Sequence, residues 1–168
     1  MIPIQIDVSI TKEDFWNLNK FVLWNRQRNT VLAMLIGYPI VIFLLFLLMD
    51  YAVWISVAAA VVLGAATLAF LFYRFKGRVL KASETPGLLG TVAFEIQEEG
   101  FTEIASDKRS FIPWKEIETI QQNDEYIFVF INRIHCHLIP KRDFVSPQKA
   151  FEFYSQAVDY LKAGRRAR

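Results

Sequence analysis

His135-Cys136-His137 is the stretch whose residue types and spacing could do metal chemistry. On a strand, alternate residues project to one face, so the two imidazoles would stand roughly 7 Å apart. The Cys136 thiol would point to the opposite face, beside Ile134 and Leu138. These are the only two histidines in the chain, so a further ligand would have to be a carboxylate or the thiol. The preferred reading is a sheet strand with a buried cysteine and solvent-facing histidines, with no metal and no cofactor. A metal-dependent enzyme at His135 and His137 would instead hold an ion that double replacement by alanine removes. Other catalytic patterns are missing: there is no Gly-x-Ser-x-Gly elbow, no phosphate-cradling Gly-x-x-x-x-Gly-Lys and no His-Glu-x-x-His. Glu98 and Glu99 are adjacent and diverge on a strand or turn, which does not suit paired acid–base work. Gly87-Leu88-Leu89-Gly90 reads as a loop. No catalytic residue is assigned, and the chain is not expected to be an enzyme.

Charge narrows the partners further. With 19 Lys and Arg against 17 Asp and Glu, the net charge of +2 is too near zero for a nucleic-acid binder acting through its bulk field. Arg165, Arg166 and Arg168 form a small basic tail, read as a solvated end with weak attraction to anionic lipid. The single cysteine, Cys136, excludes an internal disulfide and fits a reducing compartment. Arg74, Lys76, Arg78 and Lys81 cluster after an apolar block, where they mark topology and offer lipid headgroup contact. Lys141 and Arg142 add to the basic set.

The elements that would position these groups begin with that block. From Val31 to Tyr73 the only ionisable side chain apart from tyrosines is Asp50. As one helix this run would be about 65 Å long, twice the thickness of a bilayer core. Division at Asp50 gives spans over 31–49 and 52–73. It also lifts the acid out of hydrocarbon, where it would cost roughly 2.5 to 3.5 kcal/mol. The alternative, a functional acid within the membrane, lacks any charge to pair with. Lys20, Arg26 and Arg28 precede the first span and the four cations follow the second, so both termini are expected in the cytoplasm of a bacterial inner membrane. Trp24, Tyr51, Trp54 and Tyr73 fall near the expected interfaces. The apolar run starts about 30 residues in and is too long for a cleaved signal peptide. Small residues at four-residue spacing, Ala33 and Gly37 on the first helix and Ser56, Ala60 and Gly64 on the second, predict a packed hairpin. Pro39 should kink the first helix and free a carbonyl around Leu35.

Either side of the hairpin the pattern changes. Ile2, Ile4, Ile6, Val8 and Ile10 alternate with other residues as in a half-buried strand. Thr11 and Asp14 resemble a capped helix start, leading to an apolar face of Phe15, Leu18, Phe21 and Val22. This helix would lie near the headgroups or join the first span. Residues 1–30 are thus expected as an N-terminal strand and amphipathic helix, apart from a domain over 83–168. Ser83-Glu84-Thr85-Pro86-Gly87 reads as a linker. Strand signals follow over Val92 to Gln97, Phe101 to Ala105, Ser110 to Ile112, Tyr126 to Ile131 and Ile134 to Ile139. Turns are expected at Glu98-Glu99-Gly100, Ser106-Asp107-Lys108-Arg109, Asn123-Asp124 and Asn132-Arg133. Pro113 to Ile117 breaks the alternation as a helical turn anchored by Trp114. Ser146-Pro147 caps a helix with Ala150, Phe151, Phe153, Tyr154, Ala157, Val158 and Leu161 on one side. The sum is an antiparallel meander packed against one C-terminal helix.

Two spans, a Gly-centred hairpin, Trp114-x-x-Ile117, and Ile139-Pro140-Lys141-Arg142-x-Phe144 before a final helix resemble the YcxB-like family of small bacterial membrane proteins. The resemblance implies a cytoplasmic domain similar to pleckstrin-homology (PH) folds, a bent sheet closed by a helix, and brings no catalytic or ligand residues. The expected fold is therefore a membrane α-helical hairpin plus an α+β, PH-like domain. The expected function is a non-catalytic adaptor at the cytoplasmic face, tethered to the lipid bilayer and binding a protein partner, not nucleic acid. The alternative is an accessory subunit of a transporter or membrane enzyme, docking through its transmembrane helices. No oligomeric state follows from the sequence.

Overall fold

The computed structural model describes residues 4–85, 89–105, 108–133 and 135–166. Ile2, Pro86, Gly87, Leu88, Ser106, Asp107, Ile134 and Arg168, which carry some of the expectations above, lie outside them. The chain forms two compact units, Met1–Phe15 with Ser83–Arg168, and Trp16–Ala82.

In the first unit, β1 (Ile4–Ile10) pairs antiparallel along its whole length with β2 (Gly90–Ile96), from Ile4 opposite Ile96 to Ile10 opposite Gly90. The expected division between residues 1–30 and 83–168 is thereby corrected. A lone strand leaves its backbone donors and acceptors unpaired, and β1 finds its partner only beyond the second apolar helix. The alternation holds: Val8 is buried, Ile4, Ile6 and Ile10 are half-buried, and Gln5, Asp7 and Ser9 are exposed. β3 (Gly100–Ala105) and β4 (Lys108–Pro113) complete a sheet ordered β1-β2-β3-β4. Lys108 and Arg109, expected in a turn, belong to β4 instead.

The meander is divided into two sheets. β5 (Thr119–Gln122), β6 (Tyr126–Phe130) and β7 (Cys136–Pro140) form a second, three-stranded sheet. The break falls where Pro113, which has no backbone N–H to give to a ladder, ends β4. A 3-10 turn at Trp114–Glu116 follows. Trp114 is buried, and its indole N–H donates to the Gln97 carbonyl at 2.8 Å, pinning the corner as an aromatic anchor. The tight turn at Glu98-Glu99-Gly100 needs its glycine, because a Cβ there would stand 2.5 Å from the Ile112 carbonyl oxygen. Asn123 Oδ1 accepts from the amides of Glu125 and Tyr126 at 3.0 and 2.7 Å, which closes the β5–β6 turn locally.

α4 (Pro147–Arg166) starts with the Lys149 amide donating to Ser146 Oγ at 3.3 Å. Ala150, Phe153, Ala157 and Leu161 are buried at helical spacing, and Phe153, Ala157 and Leu161 join Phe94, Phe101, Ile127 and Ile139 in one core. Phe151, expected on the same face, is 63% exposed, one helical step off the stripe.

The second unit holds most of α1 (Lys12–Arg26), then α2 (Arg28–Leu48) and α3 (Val53–Ala82). Gln27 separates α1 from α2, so the amphipathic helix does not run unbroken into the next. Asp50 is exposed, with φ 60°, in the turn between α2 and α3. Aspartate tolerates that left-handed conformation better than most side chains. The lone acid is a turn residue. Both α2 and α3 are long and apolar enough to cross a bilayer. α3 continues past Tyr73 to Ala82, which sets Arg74, Lys76, Arg78 and Lys81 on the same helix instead of after it.

Candidate functional site

Asp14 gathers a dense set of polar contacts in the first unit. Thr11 and Asp14 form a reciprocal helix cap: the Asp14 amide donates to Thr11 Oγ at 3.3 Å, and Asp14 Oδ2 accepts from the Thr11 amide and hydroxyl at 2.8 and 2.7 Å. The cap is only half of the arrangement. Arg142 grips both carboxylate oxygens as a fork, Nη1 to Oδ1 at 2.6 Å and Nη2 to Oδ2 at 2.7 Å, and the Tyr126 hydroxyl donates to Oδ1 at 2.9 Å. Arg142 Nη2 also donates to the Ser9 carbonyl at 2.9 Å, while Asp143 Oδ2 accepts from the Ser9 amide at 2.9 Å. The end of β1 and the first turn of α1 are thus clasped to the segment after β7.

Asp14 is fully buried, and burial by itself would raise its pKa. The Arg142 guanidinium, then the Thr11 amide and hydroxyl and the Tyr126 hydroxyl, outweigh it and hold the carboxyl far below the usual carboxylate range. Asp14 in turn pushes Arg142 upward against the cost of its own desolvation. A carboxylate that already accepts five hydrogen bonds has no acceptor site left for a substrate proton. The cluster is a fastening, not a catalytic base.

The histidine motif is dispersed. His135 precedes β7, is exposed, and meets Asn132 Nδ2 through its Nδ1 at 2.9 Å in the hairpin loop. His137 is not solvent-facing as expected. Its ring lies against Phe94 and Phe101, with centroids at 5.7 and 5.3 Å, because this face of β7 turns toward the other sheet. Its Nδ1 is 3.6 Å from Glu103 Oε1, and that interaction, outweighing burial, holds Glu103 below its ordinary pKa. Cys136 is half-buried and not buried, its Sγ 3.3 Å from the His137 carbonyl oxygen. Among the described residues no three His, Cys, Asp or Glu side chains are placed to hold a metal ion.

The small residues are placed unequally in the second unit. Ser56, Ala60 and Gly64 are buried, and Ser56 Oγ donates to the Ala52 carbonyl at 3.3 Å, so its hydroxyl is satisfied by the residue that precedes α3. A Cβ on Gly64 would stand 3.2 Å from Pro39 Cγ. On α2 the contact is made by the proline ring, whereas Ala33 is exposed and a Cβ on Gly37 would meet nothing within 4 Å. Ala33 and Gly37 therefore do not mirror Ser56, Ala60 and Gly64, because Pro39 supplies the close approach in their stead.

The four cations of α3 also differ in their surroundings. Arg78 and Lys81 are exposed, Arg74 lies over the Phe70 ring at 5.9 Å, and Lys76 lies 5.9 Å from the Trp16 ring. The Asp14–Arg142 fastening was missed by sequence reasoning, although Thr11-x-x-Asp14 and Lys141-Arg142 were each visible. Nothing local links an acid on a helix cap to a cation in a distant loop.

Residues 96–157 match the model of a family described as YcxB-like protein. No curated protein and no solved structure matches the chain.

Proposed function

We propose, from the premise that residues 96–157 carry a YcxB-like match, that the chain is a membrane-anchored, non-catalytic binding module. In this reading α2 and α3 cross the bacterial inner membrane, both termini are cytoplasmic, and the first unit is a PH-like domain that captures a segment of a protein partner. The observation that carries it is the edge of β4. Among the described residues this strand pairs only with β3, and Lys108 to Phe111 are exposed, Phe111 by 53%. An open edge with an apolar side chain beside it suits addition of an extended segment through backbone hydrogen bonds.

Four strands, then three, then a closing helix support the PH-like assignment. Support for the membrane comes from α2, on which no side chain is buried, and from the large apolar residues exposed on both helices, Leu48, Val61, Val62 and Phe72 among them. Cations at the open end of the hairpin and none at its tip support the orientation.

The test uses the full chain extracted in mild detergent, with bound proteins identified by mass spectrometry. A partner held by the wild type and lost on Phe111→Asp and Ser110→Pro supports the β4 edge; retention by both variants overturns it. The accessory-subunit reading is favoured by one feature, the exposed Ala33 and the open space beside Gly37 on α2. It predicts loss of the partner on Gly37→Leu with the β4 variants intact.

A further inference from the structure

Two lysines from different helices converge on one indole. Trp16 of α1 packs on Phe72 and Phe75 of α3, with ring centroids at 5.8 Å in both cases. Lys20 follows Trp16 by one helical turn, as Lys76 follows Phe72, so the aromatic contact brings both side chains to the Trp16 ring. Lys20 Nζ lies 5.7 Å from the Trp16 ring centroid and Lys76 Nζ 5.9 Å. Among the described residues neither ammonium has a carboxylate partner. From residue 16 to residue 82 the only acid is Asp50, at the opposite end of the hairpin. Attraction to the ring favours each cation singly, but holding two within reach of one ring sets like charges against each other. An anion held by both lysines at the ring offsets that repulsion.

We infer that Lys20, Lys76 and Trp16 form a site for the phosphodiester of an anionic lipid headgroup. The site follows from the membrane placement proposed above. The apolar run of α3 ends at Phe72 and Tyr73 and its cations begin at Arg74, which is the depth at which a headgroup phosphate lies. Phe72, 54% exposed, supplies an apolar wall below the lysines for the glycerol and acyl carbons. Phosphate has the charge, and an indole beside two ammonium groups has the mixed apolar and polar character, that a headgroup requires. A soluble anion would gain nothing from Phe72.

The experiment is native mass spectrometry of the full chain in detergent, given phosphatidylglycerol and phosphatidylcholine at equal concentration. The wild type is expected to retain phosphatidylglycerol preferentially. Lys20→Gln and Lys76→Gln should each lower the preference about fivefold and together about thirtyfold, whereas Lys→Arg at both positions preserves it. Arg28→Gln removes one charge elsewhere in the same unit and should change it less than twofold. Equal losses on Arg28→Gln and Lys20→Gln overturn the site in favour of a diffuse field, and displacement of the lipid by inorganic phosphate overturns the lipid as occupant. No preference in a chain that fractionates with membranes defeats this site alone. A chain recovered in the soluble fraction without detergent defeats the membrane reading and the site with it.

Discussion

Asp14 and Arg142, 128 residues apart in the chain, share two hydrogen bonds of 2.6 and 2.7 Å across a buried carboxylate. That pair, together with Tyr126 and Ser9, holds the start of α1 to the loop after β7. Its strength comes from complete satisfaction of Asp14, since a buried charge with free lone pairs would cost more than the pair returns.

Removing either partner should therefore be expensive. Asp14→Ala loses the helix cap and leaves Arg142 half-exposed with its Ser9 and Asp143 contacts, with an expected loss of roughly 1 to 3 kcal/mol in unfolding of the detergent-solubilised chain by denaturant. Arg142→Ala should cost the most, roughly 3 to 5 kcal/mol, because it leaves the fully buried Asp14 carboxylate without its fork of two hydrogen bonds. Tyr126→Phe should cost about 1.5 kcal/mol, one hydrogen bond to a charged group. The pH dependence follows from the lowered Asp14 pKa. An acid depressed on folding contributes its full stability above the unfolded value of 3.8 and loses it as pH falls from there toward the folded pKa. The wild type should lose stability steeply below about pH 4, and Asp14→Ala should be flatter over that window.

The pairing of β1 with β2 predicts how the first unit responds to truncation. A chain starting at Ser83 leaves Val92, Phe94 and Ile96 without the strand that borders them, and should aggregate. Residues 1–15 joined directly by a short flexible linker to residues 83–168 should give a soluble, cooperatively unfolding protein, by circular dichroism and thermal melting. If the Ser83 fragment folds equally well, β1 is dispensable.

Gly64 and Gly37 should respond in opposite ways to enlargement. Gly64→Leu drives a branched side chain into Pro39 and should destabilise the hairpin by about 1 to 3 kcal/mol. Gly37→Leu meets open space and should be neutral in the same measurement, resistance of the hairpin to denaturing detergent. Equal effects would show that α2 packs through its glycine after all.

Topology is tested by cysteine labelling of intact cells in a Cys136→Ser background. Met49→Cys, next to the exposed turn and free of the positive φ of Asp50, should react with an impermeant reagent added outside. Lys162→Cys should react only after the membrane is opened. The reverse pattern would invert the orientation.

What could be read from the sequence was whatever a short window determines. The two-residue period of β1, the breaker at Pro113, the Trp114 anchor, the turn at Asp50 and the Ser146 cap all rest on local backbone preferences, and each is found where expected. What could not be read was partnership over distance. The β1–β2 pairing, the Asp14–Arg142 fork and the packing of His137 against Phe94 and Phe101 depend on how two sheets close, which no window contains. Spacing of small residues also does not reveal which residue of α2 meets Gly64: a Cβ there would stand 3.2 Å from Pro39 Cγ, whereas one on Gly37 would meet nothing within 4 Å.

The placement of α2 and α3 between β1 and β2 sets an order on biosynthesis. The first strand leaves the ribosome before either apolar helix, yet its ladder partner emerges only after both. Until then Ile4, Ile6 and Val8 form a nascent edge with nothing to bond, and the sheet cannot close around its core. Completion of the first unit thereby reports that the intervening helices have been synthesised, so a chain stalled or clipped within them carries an unfinished sheet that proteases can recognise.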